Sequence, residues 1–438
     1  MQTFLSTAFA TSLLFLSNRT SAESSTHTAT IDSGAIIGTA TSFPSAATAV
    51  NQFLGAPFVG PPKRFSLPQK SEPWIEPLKN KEKSPTCIQQ YNYPDPGRNW
   101  TIQFFNNPED PPKEIMVWIY GGGLYMSFAS HPYYDGSRFA AYEDIIVVAV
   151  NYRTNDWVQR NIHTFGGDPS KVTLFGEISP RNSTPPFRAA VLQSGQLSYR
   201  GFPTIGLGYP NSTESWEALV KGLNCTGDAL ACVQKAPATT IKHIIKHQAN
   251  NFWPVYNNKS LGRVLEFGVN SMTFYLERFL GRDADPRLVS AIREAYPCDD
   301  ALSAIEMYVS YQCAAALVAN DTAVAFNATF PNSQHFNGAI GGAYHASEIS
   351  IVFSTNPIPN TMVREYFTSN FMHSTWARFA KDPVAGLGWN KVGSGGEYLD
   401  GAVDLDVGVI GEDGLRVVRQ SDVDGRCGIW AGLLKRGL

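Results

Sequence analysis

Four short apolar runs stand in the centre of the chain: residues 115–120 (IMVWIY), 145–152 (IIVVAVNY), 171–175 (KVTLF) and 189–193 (AAVLQ). They are rich in β-branched residues and lack the strict alternation of a half-exposed strand. This pattern predicts strands buried on both faces, as in a parallel sheet. Between the second and third runs, residues 156–163 (DWVQRNIH) have helical spacing, with Trp157 and Ile162 as the apolar markers. Strands alternating with helices predict an α/β fold with a doubly wound, mostly parallel sheet. The second half is mostly helical in pattern, for example over residues 271–280 and 362–380. Residues 53–68 (FLGAPFVGPPKRFSLP) are dense in Gly and Pro and read as ordered loop. Residues 23–50, rich in Ser, Thr and Ala, read as a loose leader into the fold. No internal repeat and no low-complexity segment breaks the pattern.

Composition narrows the picture. The chain has 438 residues, of which 43% are hydrophobic and 17% charged, enough for one large core. Its formal charge of -3, with Lys+Arg 35 against Asp+Glu 38, argues against a nucleic-acid partner, which calls for a basic face. At the N-terminus an apolar stretch over residues 4–16 is too short to span a bilayer. Small residues follow it, with Thr20 and Ala22 at signal-peptidase spacing. Residues 1–22 therefore read as a secretory signal peptide, although no Lys or Arg precedes the apolar stretch; a short membrane anchor is the alternative. No other apolar run approaches membrane length, so the expectation is a secreted mature chain over residues 23–438 without a stable membrane anchor.

Two further features agree with export. Seven Asn-x-Ser/Thr sequons follow the leader, at Asn99, Asn182, Asn211, Asn224, Asn258, Asn320 and Asn327. The six cysteines, Cys87, Cys225, Cys232, Cys298, Cys313 and Cys427, contain no Cys-x-x-Cys pair, which argues against zinc. Cys225 and Cys232 flank the short stretch NCTGDALAC and read as a local disulfide. The other four cannot be paired from sequence.

The central motifs carry a family resemblance. A strand is followed at once by Gly121-Gly122-Gly123; FLGAPF and Arg64-Phe65 precede it, and YYDGSRFAAYEDIIVVAVNYRTN, DWVQRNIHTFGGDPSKVTLFGE and PFRAAVLQSG follow. Further on come GAYHASEISIVF at 342–353 and WARFAKDP at 376–383. In this order the motifs resemble the type-B carboxylesterase/lipase family, which includes the cholinesterases, and the resemblance covers essentially the whole mature chain as a single domain. It implies an α/β-hydrolase fold and hydrolysis of small apolar carboxylic esters through an acyl-enzyme, with no cofactor and no metal. That chemistry needs a Ser nucleophile, a His base oriented by a carboxylate, and backbone N–H donors for the oxyanion. By the resemblance the donors are Gly122 and Gly123, and the base is His345 in Gly342-Ala343-Tyr344-His345. Glycines suit the donor loop because a side chain there would block the substrate. Ser194, in LQSG, is a strand-end serine without a catalytic role in the family. His163 reads as structural or solvent-facing.

The sequence departs from the family where the chemistry is most demanding. The family's elbow reads Gly-Glu-Ser-Ala-Gly, but here the text is Gly176-Glu177-Ile178-Ser179-Pro180. Ile178 holds the nucleophile position. Ser179 stands one place late and is the remaining candidate nucleophile. Pro180 lacks an N–H and pushes Ser179 toward extended geometry, while β-branched Ile178 opposes a strained elbow. Only ten residues, 177–186, three of them proline, separate the third run from Phe187. A parallel crossover takes about a dozen residues or more, so the sheet is expected to be incomplete and damaged there. The family's Gly-Thr-Asn-x-x-Glu-Gly segment, carrying the triad acid, is also absent. Residues 255–261 run straight into Gly262-Arg263-Val264-Leu265, and Glu266 is out of register. Two more shortenings follow Asn155 and precede Trp100, and the second removes the expected partner of Cys87. These clean-edged losses point to missing exon pieces, whether from gene-model error or from alternative splicing. Three functions remain open: an ester hydrolase by descent, a non-catalytic secreted binding or adhesion-like module of the same fold, and a chain that does not fold stably.

Overall fold

The computed structural model describes residues 27–46, 49–61, 63–66, 69–81, 112–122, 127–151, 155–176, 187–193, 212–247, 285–295, 324–326, 346–356, 361–387, 406–411, 414–419, 422–423 and 425–434. Residues 23–50, expected as a loose leader, instead hold four short strands from residue 28 onward. They are β1 (Thr28–Ile31), β2 (Gly34–Ile37), β3 (Thr39–Thr41) and β4 (Val50–Gln52). β1 and β2 form an antiparallel hairpin, as do β3 and β4. The Ser/Thr/Ala composition hides a period of two. In β1, Ala29 and Ile31 face inward while Thr28 and Thr30 face solvent, and Thr is as good a strand former as the aliphatic β-branched residues. Asp32 in the turn pins this hairpin to the body: it pairs with Arg160 at 2.9 Å and Lys70 at 3.2 Å, and its N–H donates to Asn161 Oδ1. β5 (Leu78–Lys79) extends the hairpin in parallel with β2.

The four central runs form one parallel sheet in the order β7-β6-β8-β9. Its strands are β6 (Lys113–Ile119), β7 (Ile146–Ala149), β8 (Gly167–Gly176) and β9 (Ala189–Leu192). Successive residues of β6 serve opposite faces. Met116 and Trp118 pack with Phe139, Val147, Phe175, Phe353 and Trp376, whereas Ile115 and Val117 pack with Ile146, Val148, Trp157, Ile162 and Val172. Burial on both faces is why these strands read as unbroken apolar runs.

The expected damage between Gly176 and Phe187 is corrected in one respect. β8 and β9 are parallel neighbours over four residues, from Thr173↔Ala189 to Gly176↔Leu192. The short link does not prevent pairing, because four paired residues need only the strand ends to reach. The link itself, residues 177–186, lies outside the described residues.

Helices cover both faces. α1 (Ser137–Glu143) packs on the Trp118 face, and α2 (Asn155–Asn161), with a 3-10 turn at Ile162–Phe165, packs on the other. α3 (Ser212–Gly222), α4 (Ala229–Lys235) and α5 (Ala238–His247) form a small cluster around Leu219, Val233 and Ile244. The Cys225–Cys232 disulfide ties it, as expected. Arg64 seats this cluster on the body by donating to the Val233, Gln234 and Ala236 carbonyls at the end of α4. α6 (Pro286–Ala295) and β10 (Val324–Phe326) follow, then α7 (Ile349–Phe353) and the 19-residue α8 (Val363–Lys381). β10 pairs in parallel with β11 (Asp406–Gly411), which pairs with β12 (Gly414–Arg419), and α9 (Cys427–Leu434) comes last. α8 buries Glu365, Thr368, Ser369, Met372, His373, Trp376, Phe379 and Ala380, a stripe at intervals of three and four against the Trp118 face. Its expected span of 362–380 is one residue off. The helix expected over residues 271–280 lies outside the described residues.

Candidate active site

Strand register brings the end of β6, just before Gly121-Gly122, beside the end of β8. β6 ends at Ile119, whose partner across the sheet is Gly176, the last residue of β8. Tyr120-Gly121-Gly122 and Gly176 therefore stand side by side at the carboxyl ends of the strands, where open α/β sheets place their sites. Both need glycine. Gly122 has φ +120° and Gly176 has φ +127°. A Cβ on Gly176 would stand 2.1 Å from the Ile119 carbonyl oxygen, so the two strand ends approach more closely than any side chain permits. Gly123, Ile178 and Ser179 lie outside the described residues.

The third arm arrives from β9. Gln193, just past its end, donates its N–H to the Gly176 carbonyl at 2.8 Å. Its side-chain amide donates from Nε2 to Glu348 Oε1 at 3.0 Å, and its Oε1 accepts from Trp376 Nε1 at 3.3 Å. Glu348 closes the turn Ala346–Glu348 that leads into α7, a helix buried from Ile349 through Phe353. Ala346, the residue after His345, has φ +69°. His345 itself lies outside the described residues, but the turn that follows it is tied by the Glu348–Gln193 bond to the edge where Gly121–Gly122 and Gly176 emerge.

Aromatic side chains fill the space beneath this edge. Tyr134 packs against Trp118 at 5.0 Å and stacks with Tyr120 at 6.5 Å, and Trp118 meets Phe353 of α7 edge-on at 5.0 Å. Asn151, just past β7, accepts from Tyr120 Oη at 3.1 Å and from the Ala129 N–H at 3.2 Å, fixing the segment that returns from the glycine loop. Thr355 Oγ1 donates to the Tyr133 carbonyl at 3.1 Å. The region beneath Gly121-Gly122 is thus floored by packed aromatic rings tied by these hydrogen bonds.

One other histidine is chemically notable. His373 in α8 is buried, stacks on Phe139 at 3.8 Å, and donates from Nδ1 to the Val352 carbonyl at 2.9 Å. Burial pushes its pKa down to about 4, with the Val352 hydrogen bond opposing that only in part. It is a neutral packing residue of the core. His163 is exposed, as expected for a residue without a role in the site. Glu365 is a fully buried carboxylate, but it accepts from Asn356 Nδ2 and from the Met362 N–H and so caps α8. Glu266 and the segment where the triad acid is missing lie outside the described residues, as does Ser194. No group of three or more His, Cys, Asp or Glu suited to a metal occurs among the described residues. Sequence reasoning missed Gln193, Glu348 and Trp376 as a connected set. All three stand inside quoted motifs, LQSG, GAYHASEISIVF and WARFAKDP, yet nothing in the text marks a contact between positions 155 and 183 residues apart.

The carboxylesterase family model matches residues 25–155 and 156–263. The chain belongs to that family. Among curated relatives, it is 32% identical over 200 residues to the acetylcholinesterase of Electrophorus electricus, covering 33% of this chain and 31% of that one. It is 34% identical over 192 residues to the liver carboxylesterase of Sus scrofa, covering 33% of this chain and 34% of that one. It thus spans about a third of the length of the curated relatives it matches. A solved PNB esterase superposes with a TM-score of 0.68 at 20% identity, over 92% of this chain and 99% of that one. A thermophilic PNB esterase gives a TM-score of 0.67 at 18% identity, with the same coverage. The fold of this carboxylesterase-family chain is therefore the α/β-hydrolase fold.

Proposed function

We propose that this chain is a secreted carboxylic-ester hydrolase scaffold that does not turn over ester. The observation that carries the reading is the Ile119↔Gly176 register, which sets the glycine loop beside the start of the elbow, while the elbow itself reads Gly-Glu-Ile-Ser-Pro. In the active reaction, the nucleophile's Oγ would attack the ester carbon, His345 would take its proton, and the Gly122 and Gly123 N–H groups would hold the oxyanion. The acyl-enzyme would then be released by water, with no cofactor at any step. Here Ile178 offers no atom that can form the acyl bond. Ser179 is displaced by one residue, and its N–H, not Ile178's, falls where the family's third oxyanion donor belongs. The base and the oxyanion loop have nothing to activate. The tied Gln193–Glu348–Trp376 network supports a scaffold that keeps the family's shape around the site, as a non-catalytic binding module would.

Export is part of the same reading. It is supported by the leader, the seven sequons, the Cys225–Cys232 disulfide and a second disulfide at Cys427. Asn224, in one of the sequons, is exposed in the turn after α3. No helix among the described residues is long and apolar enough to cross a membrane.

The test is steady-state hydrolysis of short-chain nitrophenyl esters by the purified secreted chain, beside its Ser179→Ala variant. Equal rates at the buffer background are expected; turnover that disappears in Ser179→Ala would overturn the reading.

A further inference from the structure

The cluster α3–α5 stands apart from the ester site and carries a pair of side chains the proposed reaction does not use. α5 runs from Ala238 to His247, and its last two turns read Lys242-His243-Ile244-Ile245-Lys246-His247. Ile244 is buried in the cluster around Leu219 and Val233, which fixes how the helix is rotated. His243 and His247, one residue before and three residues after Ile244, lie on a flank of the helix beside it, and both are exposed to solvent. A separation of four residues places them one above the other along the helix. Their ring centroids are 4.2 Å apart with the planes 46° apart.

We propose that His243 and His247 form an open two-imidazole chelate for a late first-row divalent transition ion: Cu2+, Ni2+ or Zn2+. An imidazole nitrogen binds such an ion at about 2.0–2.1 Å. Ring centroids 4.2 Å apart are close enough for one nitrogen of each imidazole to reach a shared ion at that bond length. The donor set selects the metal class. Imidazole suits copper, nickel and zinc, whereas calcium and magnesium require oxygen donors. No carboxylate or thiol joins the pair among the described residues, so solvent takes the remaining coordination positions. Lys242 and Lys246 bring positive charge to the same turns, so an ion there is held by imidazole coordination against that charge. A bound ion would clamp one turn at the end of α5, a helix whose partners are already held by the Cys225–Cys232 disulfide.

The chelate is distinguishable from scattered surface histidines because both rings are needed at once. The experiment is Ni2+ titration of the full secreted chain by calorimetry, repeated with His243→Ala, His247→Ala and, as a control outside the pair, His163→Ala. The parent and His163→Ala should each bind one equivalent tightly. Each of the other two variants should lose affinity by at least about tenfold, since the second imidazole acts as an intramolecular ligand. Thermal melting with and without Ni2+ supplies a second readout. The ion should raise the midpoint of the parent and of His163→Ala but not that of either pair variant. Undiminished binding in either single variant, or loss of the tight equivalent in His163→Ala, would overturn the chelate. All of these residues are exposed, so each variant is expected to fold as the parent does.

Discussion

Gly176 stands under the tightest constraint near the site. Its φ of +127° and the 2.1 Å approach of its would-be Cβ to the Ile119 carbonyl act together, and that carbonyl belongs to β6, an interior strand of the sheet. A Gly176→Ala variant should lose stability on the order of 3 kcal/mol, read as a lower denaturant midpoint with an unchanged slope. A loss under about 0.5 kcal/mol would show that the strand ends are not held as described. The glycine was legible in the sequence as the first letter of the elbow. The contacts of Gln193 were not. A glutamine at a strand end has no periodicity or charge partner to announce it, and its value comes from meeting Glu348 and Trp376 across 155 and 183 residues. Ile178 is the opposite case, since its identity in the sequence alone carries the proposal that the nucleophile is lost.

Elements show where patterning succeeds and where composition misleads. The four buried strands were legible because burial on both faces leaves no polar position to interrupt them, and each is placed within a few residues of its expected bounds. β1 was hidden because Thr and Ala carry most of its alternation with little contrast in hydropathy, and β2 to β4 because three or four residues are too short to show a period. The α8 stripe was legible as a helix, but not its content, a neutral histidine in the core. His373 titrates near pH 4 in the folded chain against an ordinary value near 6.5. As pH falls from about 6.5 towards 4 the unfolded chain takes up this proton and the folded chain does not, so stability must fall through that window and this contribution levels off below it. The total is on the order of 3 kcal/mol. Denaturant midpoints measured from pH 7 to pH 4 should decline more gently for His373→Phe, which keeps a ring against Phe139, than for the parent. Parallel slopes would show that the ring is not held neutral.

For the molecule as a whole, motif order was enough to read the family and the α/β-hydrolase fold, because the motifs sit at strand ends and turns where geometry restricts residue choice. The pairing of β8 with β9 was not legible: link length argued against it, and only the register shows that both strand ends reach. Export makes a separate prediction. Glycosidase treatment of the secreted chain should lower its apparent mass, and Asn224→Gln should remove one step of that shift; an unchanged band would count against secretion.

The central claim of the proposed function is that this carboxylesterase-family chain has no working nucleophile at the elbow Gly176-Glu177-Ile178-Ser179-Pro180. The most direct measurement is covalent titration with a fluorophosphonate, followed by peptide mass spectrometry across residues 167–193. Its reagent reports a nucleophile poised at an oxyanion hole whether or not turnover is fast. The account predicts an unlabelled peptide under conditions that label an active carboxylesterase fully. A stoichiometric adduct on Ser179 would contradict it, since the displaced serine would then be the working nucleophile of an intact elbow.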